Sequence, residues 1–351
     1  ALTGEMKTVV DGLIKGKSDV EKIDAIYRYV IDRTRYVGFE LGTGSVQPRR
    51  SDAVFSSRLG DCKDSALLLA AMLRHAGFES ALTLIRTCDR GAADFDFPFI
   101  GNFNHAIAWV RHEGDLFLDG TVKHAGMRDL PQTDRDVEVL VIAENGARIV
   151  RVDGSRYSPN AERITNRIQI RADGSAELTR RMEKQGDQAL AIRGDFAEMD
   201  RKRDELDKYW NYYFPGSKIG NIAADAAKDT YWYDVLIPGL VTRANGYLVI
   251  PVSLIPDGML NRLKSLPVRE NDYIIPNDYR VSQTMEIELP EGVRPERLPR
   301  DVRHRWKNDS YVVTCRQKSE HIVEITIELI VHARRIPAGE YPEYLSFILR
   351  S

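Results

Sequence analysis

The sequence predicts an α+β protein: a first part in which helices and strands alternate, then a mostly β, sandwich-like part with one inserted helix. Three observations predict it. A capping box followed by apolar residues at helical spacing sits near the start. A cysteine-headed apolar helix is followed by strand patterns. Beyond a turn-rich stretch at 151–160 the period changes to alternation. At 351 residues, and roughly 150 residues per domain, about two domains are expected. They are placed at 1–150 and 161–351, with 151–160 as linker.

The elements follow in order. Ser18-Asp19-Val20-Glu21 opens a helix through Ile23, Ile26, Tyr27 and Val30. Gly38, Gly42 and Gly44 then lead to Pro48 and a short helix from about residue 51. A third helix runs from Cys62 to the natural stop at Gly77. Strands are expected over 80–87, 104–110 and 116–119. In the second part, alternation marks strands at 164–170, 176–180, 247–252, 283–289, 311–314 and 323–331. A helix over 188–213 carries Ile192, Phe196, Met199, Leu206, Trp210 and Tyr213 on one stripe.

Composition excludes several classes. Hydrophobic residues at 43% and charged ones at 29% are those of a globular chain, not a disordered or fibrous one. Fifty basic against fifty-two acidic residues argue against binding to nucleic acid or to an anionic membrane by bulk charge. The longest apolar run, 66–73, is far short of the roughly 18 residues that span a bilayer. Three cysteines make no disulfide framework. A start at Ala1 without a leader is expected of a processed chain or a piece of a longer protein.

Two motif matches fail. Gly12 and Gly16 before Lys17-Ser18 have three residues between them where a phosphate loop has four, and the capping box explains Ser18. His112-Glu113 starts like a zinc-protease helix, but Leu116 stands where the second histidine belongs. No pair of cysteines has zinc-ligand spacing either, so no metal or cofactor is expected.

The informative segment is Gly60-Asp61-Cys62-Lys63-Asp64 before the apolar run. It sets Cys62 at the first turn of a helix, where unpaired N–H groups and the positive helix end favour a thiolate. Steps of four, three and four from Cys62 meet Ala66, Leu69 and Leu73, so the sulfur tops the buried stripe. A lone cysteine so placed is ordinarily a small hydrophobe. Its partners change that reading. His105 begins a strand pattern and Asp119 ends the next one, with residues 111–115 between them as a hairpin turn. A thiolate nucleophile needs an imidazole to exchange its proton and a carboxylate to orient the imidazole. Strand parity adds a constraint: an odd loop, with three residues at 112–114 and Gly114 at positive φ, or an equivalent bulge, is expected, since it brings His105 and Asp119 to one face.

Gly60-Asp61-Cys62-Lys63-Asp64, Asn104-His105-Ala106 and Leu118-Asp119-Gly120-Thr121 together resemble the transglutaminase-like superfamily, whose members share a papain-like Cys-His-Asp core. Tyr36-Val37-Gly38-Phe39-Glu40 and Gln47-Pro48 make the resemblance closer to a bacterial, extracytoplasmic group with flanking β-sandwich domains. The resemblance covers about residues 20–125 and, weakly, the C-terminal β region. It implies a papain/transglutaminase-like core with Cys62 as nucleophile, His105 as acid and base, and Asp119 as the orienting residue. It also implies a periplasmic or secreted location.

The oxyanion donors are expected to be the Cys62 N–H and Gln47, with Tyr36 as rival. Asp61 is expected to be the N-cap and Asp64 a first-turn acid, both structural, and Cys88 and Cys315 to be buried apolar residues. The expected function is a thiol-dependent amide hydrolase working through an acyl-enzyme on a peptide or related amide, with amides derived from the cell envelope among the candidates. The alternatives are acyl transfer to an amine and a non-catalytic envelope-binding module.

Overall fold

The computed structural model describes residues 2–38, 42–97, 99–196, 199–250, 268–275, 278–332 and 334–350. Positions 39 and 40 of the upstream motif, 197 and 198 of the expected long helix, and 251 and 252 of one expected strand lie outside the described residues. The chain divides into two units, Ala1–Pro159 and Asn160–Ser351.

In the first unit, α1 (Gly4–Ile14) precedes α2 (Asp19–Arg33). Ser18 and Glu21 make the expected reciprocal cap on α2, whose Ile23, Ile26, Tyr27 and Val30 are buried. The next two strands are short. β1 (Arg35–Tyr36) pairs in parallel with β2 (Leu59–Gly60), across the helix α3 (Ser51–Ser57). That pairing ties the end of α2 to the residues just before Cys62. The helix α4 (Cys62–His75) starts on the cysteine and fully buries Ala66, Leu69 and Leu73. It packs on β3 (Ser80–Ile85) and β4 (His105–Arg111). With β5 (Asp115–Leu118), β6 (Glu138–Ala143) and β7 (Gly146–Arg151) these form a five-stranded antiparallel sheet, ordered β5-β4-β3-β6-β7.

Two glycines allow the close approaches that assemble this unit. A Cβ at Gly60 would lie 3.1 Å from Asp64 Cβ and 3.2 Å from a Val54 methyl. One at Gly120 would lie 3.0 Å from Ser65 Cβ and 3.3 Å from its carbonyl carbon. The turn after β5 thus rests directly on the first turns of α4. The 151–160 stretch is turn-rich as expected, yet it is packed into the unit. Val152 and Tyr157 are buried, and the Tyr157 hydroxyl accepts from Phe117 N and donates to Phe117 O. Arg156 donates to the carbonyls of Asp115 and His112, closing the β4–β5 turn from outside.

The second unit is mostly β. Its strands β8 (Ala161–Ile170), β9 (Ala176–Gln185), β10 (Lys218–Asp225), β11 (Thr230–Ile237), β15 (Tyr279–Glu288), β16 (Val302–Trp306), β17 (Asp309–Gln317) and β18 (Ile322–Val331) join in one hydrogen-bonded sheet. The order is β10-β11-β9-β8-β15-β18-β17-β16. Alternation predicts strands with one buried face, but it does not tell one large sheet from two facing ones. Two antiparallel groups meet at the parallel β8–β15 pair, and the remaining pairs are antiparallel. Two small sheets stand apart from it: the hairpin of β12 (Thr242–Ala244) with β13 (Tyr247–Val249), and the antiparallel pair of β14 (Tyr273–Ile275) with β19 (Arg334–Ile336). The expected long helix is described as α5 (Asp187–Phe196) and α6 (Met199–Tyr213), on either side of positions 197 and 198. From α6, Leu206 and Trp210 enter the core with Ile164, Leu178, Val235 and Ile287.

Gly120→Ala is expected to destabilise the protein by about 1–3 kcal/mol through overpacking on the α4 backbone. Gly12→Ala, inside α1 with nothing within 4 Å of the new methyl, is expected to stabilise it by about 0.5–1 kcal/mol. Urea denaturation of both variants checks the pair; equal effects would show that the approach at Gly120 is not tight.

Candidate active site

Cys62 is the first residue of α4, so its backbone N–H has no acceptor within the helix. Asp61 is the N-cap: its carboxylate accepts from Asp64 N, and the Asp64 carboxylate accepts in return from Asp61 N. Both acids serve the helix cap, Asp61 as the expected N-cap. Asp64 does more. Buried, it also accepts from Arg49 N at 2.7 Å and Arg49 Nε at 2.8 Å. The segment containing Gln47 is therefore fastened to the cysteine helix two residues further on. Gln47 itself is exposed. Tyr36, the rival donor, is half exposed on β1, level with Gly60.

The β4–β5 register pairs Ala108 with Leu118, Trp109 with Phe117, Val110 with Leu116 and Arg111 with Asp115. The loop is therefore the odd one, His112 to Gly114, closed by a bond from His112 N to Gly114 O at 2.9 Å. Gly114 has φ +107°, as parity requires, and Glu113 is also left-handed at +51°. His105 and Asp119 consequently share a face, and Nε2 of His105 lies 3.1 Å from Oδ2 of Asp119. An ionised carboxylate only accepts, so Nε2 carries the proton and Nδ1 is left for the other partner. The half-buried Cys62 thiol is a further group that acts on the ring.

Asp119 is buried, and both of its oxygens are used. Oδ1 accepts from Thr121 N at 2.8 Å and Thr121 Oγ1 at 2.7 Å, an Asx turn that fixes the carboxylate plane. Its backbone carbonyl accepts from the buried Tyr27 hydroxyl at 2.8 Å, which ties the strand end to α2. Lys123 adds a second tie by donating to the carbonyls of Ile31 and Thr34. Burial works to raise the Asp119 pKa, but the charge and hydrogen bond of His105, with Thr121, hold it below the usual carboxylate range. Burial likewise opposes charge on His105. The charge and hydrogen bond of Asp119, then the Cys62 thiol and Asp134, lift it well above an ordinary imidazole.

Asp134 was not singled out by the sequence. It ends the short turn Gln132–Asp134 and is almost fully buried. One ligating atom each from His105, Asp119 and Asp134 lie within 4.8 Å of one another, a donor set of the kind that holds a divalent metal. Tetrahedral zinc with bonds of about 2.0–2.1 Å needs its donor atoms closer, roughly 3.3 Å apart. Nε2 is moreover already committed to Asp119, so the arrangement fits a shared proton better than a metal ion. Thr121 had a readable signal in the Asp-x-Thr spacing; Tyr27 and Asp134 had none.

The other cysteines differ from Cys62. All three thiols are free. Cys88 is half-buried and opens a 3-10 turn instead of ending a strand; burial, with Asp89 and Asp134 nearby, pushes its thiol up to about 11. Cys315 is buried in β17, and burial pushes its thiol up as well.

Residues 7–117 match the model of the transglutaminase-like superfamily, so the first unit carries a domain of that superfamily. Residues 247–351 match a domain of unknown function with a solved structure, DUF3858. Among curated proteins no sequence matches this chain. A crystal structure of a candidate protease from Parabacteroides distasonis ATCC 8503 superposes with a TM-score of 0.59 at 14% identity, which shows a shared fold. The match covers 98% of this chain and 52% of that one, so the chain spans about half the length of the structure it resembles. Among the described residues no helix is long and apolar enough to cross a membrane.

The charged His105–Asp119 pair sets a pH window for stability. The raised His105 value adds stability that is fully present below about pH 6.5 and is lost as pH rises through the folded value. The lowered Asp119 value adds stability present above about pH 3.9 and lost as pH falls through the folded value. Asp119→Ala is therefore expected to cost about 3–5 kcal/mol between these limits, and less in strong alkali. Urea titrations of both proteins across pH measure this; a pH-independent difference would mean the pair is uncharged.

Proposed function

We propose that Cys62, His105 and Asp119 act as the catalytic triad of a thiol-dependent amide hydrolase. The observation that carries this reading is the imidazole held at 3.1 Å by a buried, fully engaged carboxylate, with Cys62 standing at the head of α4. Cys62 Sγ attacks the amide carbonyl carbon, forming a C–S bond and placing negative charge on the oxygen. As the C–N bond breaks, His105 gives its Nδ1 proton to the departing nitrogen. In the second half, water loses a proton to His105, its oxygen attacks the acyl carbon, and the C–S bond breaks to release the acid. Asp119 stays ionised throughout and keeps the ring oriented.

The Cys62 N–H is the first oxyanion donor in this scheme. Gln47 is the second, a role supported by the Arg49–Asp64 clamp that fastens its segment to α4. Exposed apolar residues stand on the segments leading to both reacting groups: Tyr36 and Val46 before Cys62, and Phe97, Phe99 and Ile100 before His105. Such a rim suits a peptide or related amide with apolar side chains. The resemblance to an extracytoplasmic group supports a cell-envelope substrate and a periplasmic or secreted location.

Iodoacetamide at mildly acid pH, followed by mass spectrometry, is expected to label Cys62 ahead of Cys88 and Cys315. Equal labelling of all three would remove the main support. A screen of peptide and peptidoglycan-fragment amides then identifies the substrate. With it, Cys62→Ala abolishes turnover and Asp119→Asn, which favours the wrong tautomer, lowers it by about 10⁴. Adding a primary amine to the same assay separates hydrolysis from transfer: an amide product in place of free acid would identify an acyltransferase. A folded protein without activity on any of these amides, and without selective labelling, would favour a binding module.

A further inference from the structure

We infer that Asp134 is a positioning residue for the His105–Asp119 pair: a second buried carboxylate that holds the imidazole in its protonated form beside Cys62. The inference rests on the triad reading and goes beyond it, because a triad needs one carboxylate and this site has two.

The geometry carries it. Asp134 is 1% exposed, and one of its oxygens lies within 4.8 Å of both a His105 ring nitrogen and an Asp119 oxygen. The backbone fixes it there through the bond from Asp134 N to Pro131 O at 3.0 Å, and Thr133 Oγ1 adds a contact to Oδ1 at 3.3 Å. Two carboxylates this close repel each other in a medium of low dielectric, and a cation between them relieves the repulsion. The His105 ring, with a nitrogen within 4.8 Å of both acids, can carry that charge. Asp119, already bonded to the ring and to Thr121, sets its orientation. Asp134, not hydrogen-bonded to the ring, supplies charge.

The surroundings are consistent with a strong field from Asp134. Its charge is felt by Tyr27, Tyr157 and Cys88, which burial first of all keeps in their neutral forms. Asp119 and Asp129 act on Tyr27 more strongly, and Asp24 less. Asp89 and Asp136 face Cys88. On the other side, the Arg135 guanidinium donates to the carbonyls of Leu130 and Ser158 and lies 5.6 Å over the Tyr157 ring. Asp119 first, and Asp134 after it, are carboxylates whose charge acts on the imidazole.

A group that acts through charge is distinguished from one that merely braces a turn by what the imidazole does in its absence. Nuclear magnetic resonance titration of the His105 ring, with the rate of Cys62 alkylation by iodoacetamide across pH, reads this without a known substrate. Asp134→Asn keeps the shape and removes the charge. It is expected to move the His105 midpoint down by about one pH unit or more, a tenfold loss of proton affinity. It should also move the His105-dependent arm of the pH profile of Cys62 alkylation by the same amount. Asp134→Glu, which restores the charge, should return both readouts towards wild type, which a bracing role would not predict. A folded Asp134→Asn protein with an unchanged midpoint and alkylation rate would overturn the inference. Should that variant not fold, Asp134→Ser, smaller and uncharged, is read in the same way with the same two outcomes. The two levels of the argument fail separately. Wild-type Cys62 that is unreactive at acid pH, with His105→Ala no different, would sink the triad itself. A reactive wild type matched by Asp134→Asn would sink only the role of Asp134.

Discussion

A buried carboxylate must find partners for its oxygens and for its charge, and in this protein Asp119 organises the first unit by that requirement. One oxygen takes the His105 Nε2 proton and the other takes both donors of Thr121. The backbone of the same residue takes the Tyr27 hydroxyl from α2. The strand β4, the helix α2 and the local turn at Thr121 are thus tied to a single residue. Loss of any one tie would leave a buried polar group unmatched, and such groups cost more than the bonds they lose.

The approach of α4 to that residue depends on missing atoms. Gly120 lets the turn after β5 lie against Ser65, and Gly60 lets the segment before Cys62 pass between Val54, Thr34 and Asp64. Asp64 completes the junction by serving at once as a first-turn cap and as the anchor of Arg49. The helix start, the strand end and the upstream segment converge because two glycines and one acid hold them there. The thiol is placed by this scaffold, not by a flexible loop.

The second unit obeys different physics. Its sheet has a buried face built from alternate residues of six of its eight strands, and helix α6 adds Leu206 and Trp210 to that core. The Trp210 indole N–H donates to the Tyr233 hydroxyl at 3.2 Å, which satisfies the one polar atom that so large a buried side chain brings with it. The parallel β8–β15 pair at its centre joins strands more than a hundred residues apart in the chain. Strands of this kind are recognisable one at a time, but their order is not.

Much of the site was legible in the sequence because its signals are local. The Asp61–Asp64 capping box, the apolar stripe below Cys62 and the two strand patterns each depend on neighbours within four residues, where helical and strand periods act. Even the sharing of a face by His105 and Asp119 followed from parity, since side chains alternate strictly along a strand and only an odd loop keeps the phase. What tertiary structure alone decided involves groups far apart in the chain: Tyr27 on the Asp119 carbonyl, Arg49 on Asp64, Asp134 beside the imidazole, and the packing of 151–160 into the first unit. Turn residues and lone acids look the same in sequence whether solvated or buried. Burial, which raises the cost of an unpaired charge and so selects the partners, is set by the whole fold and not by any window of sequence.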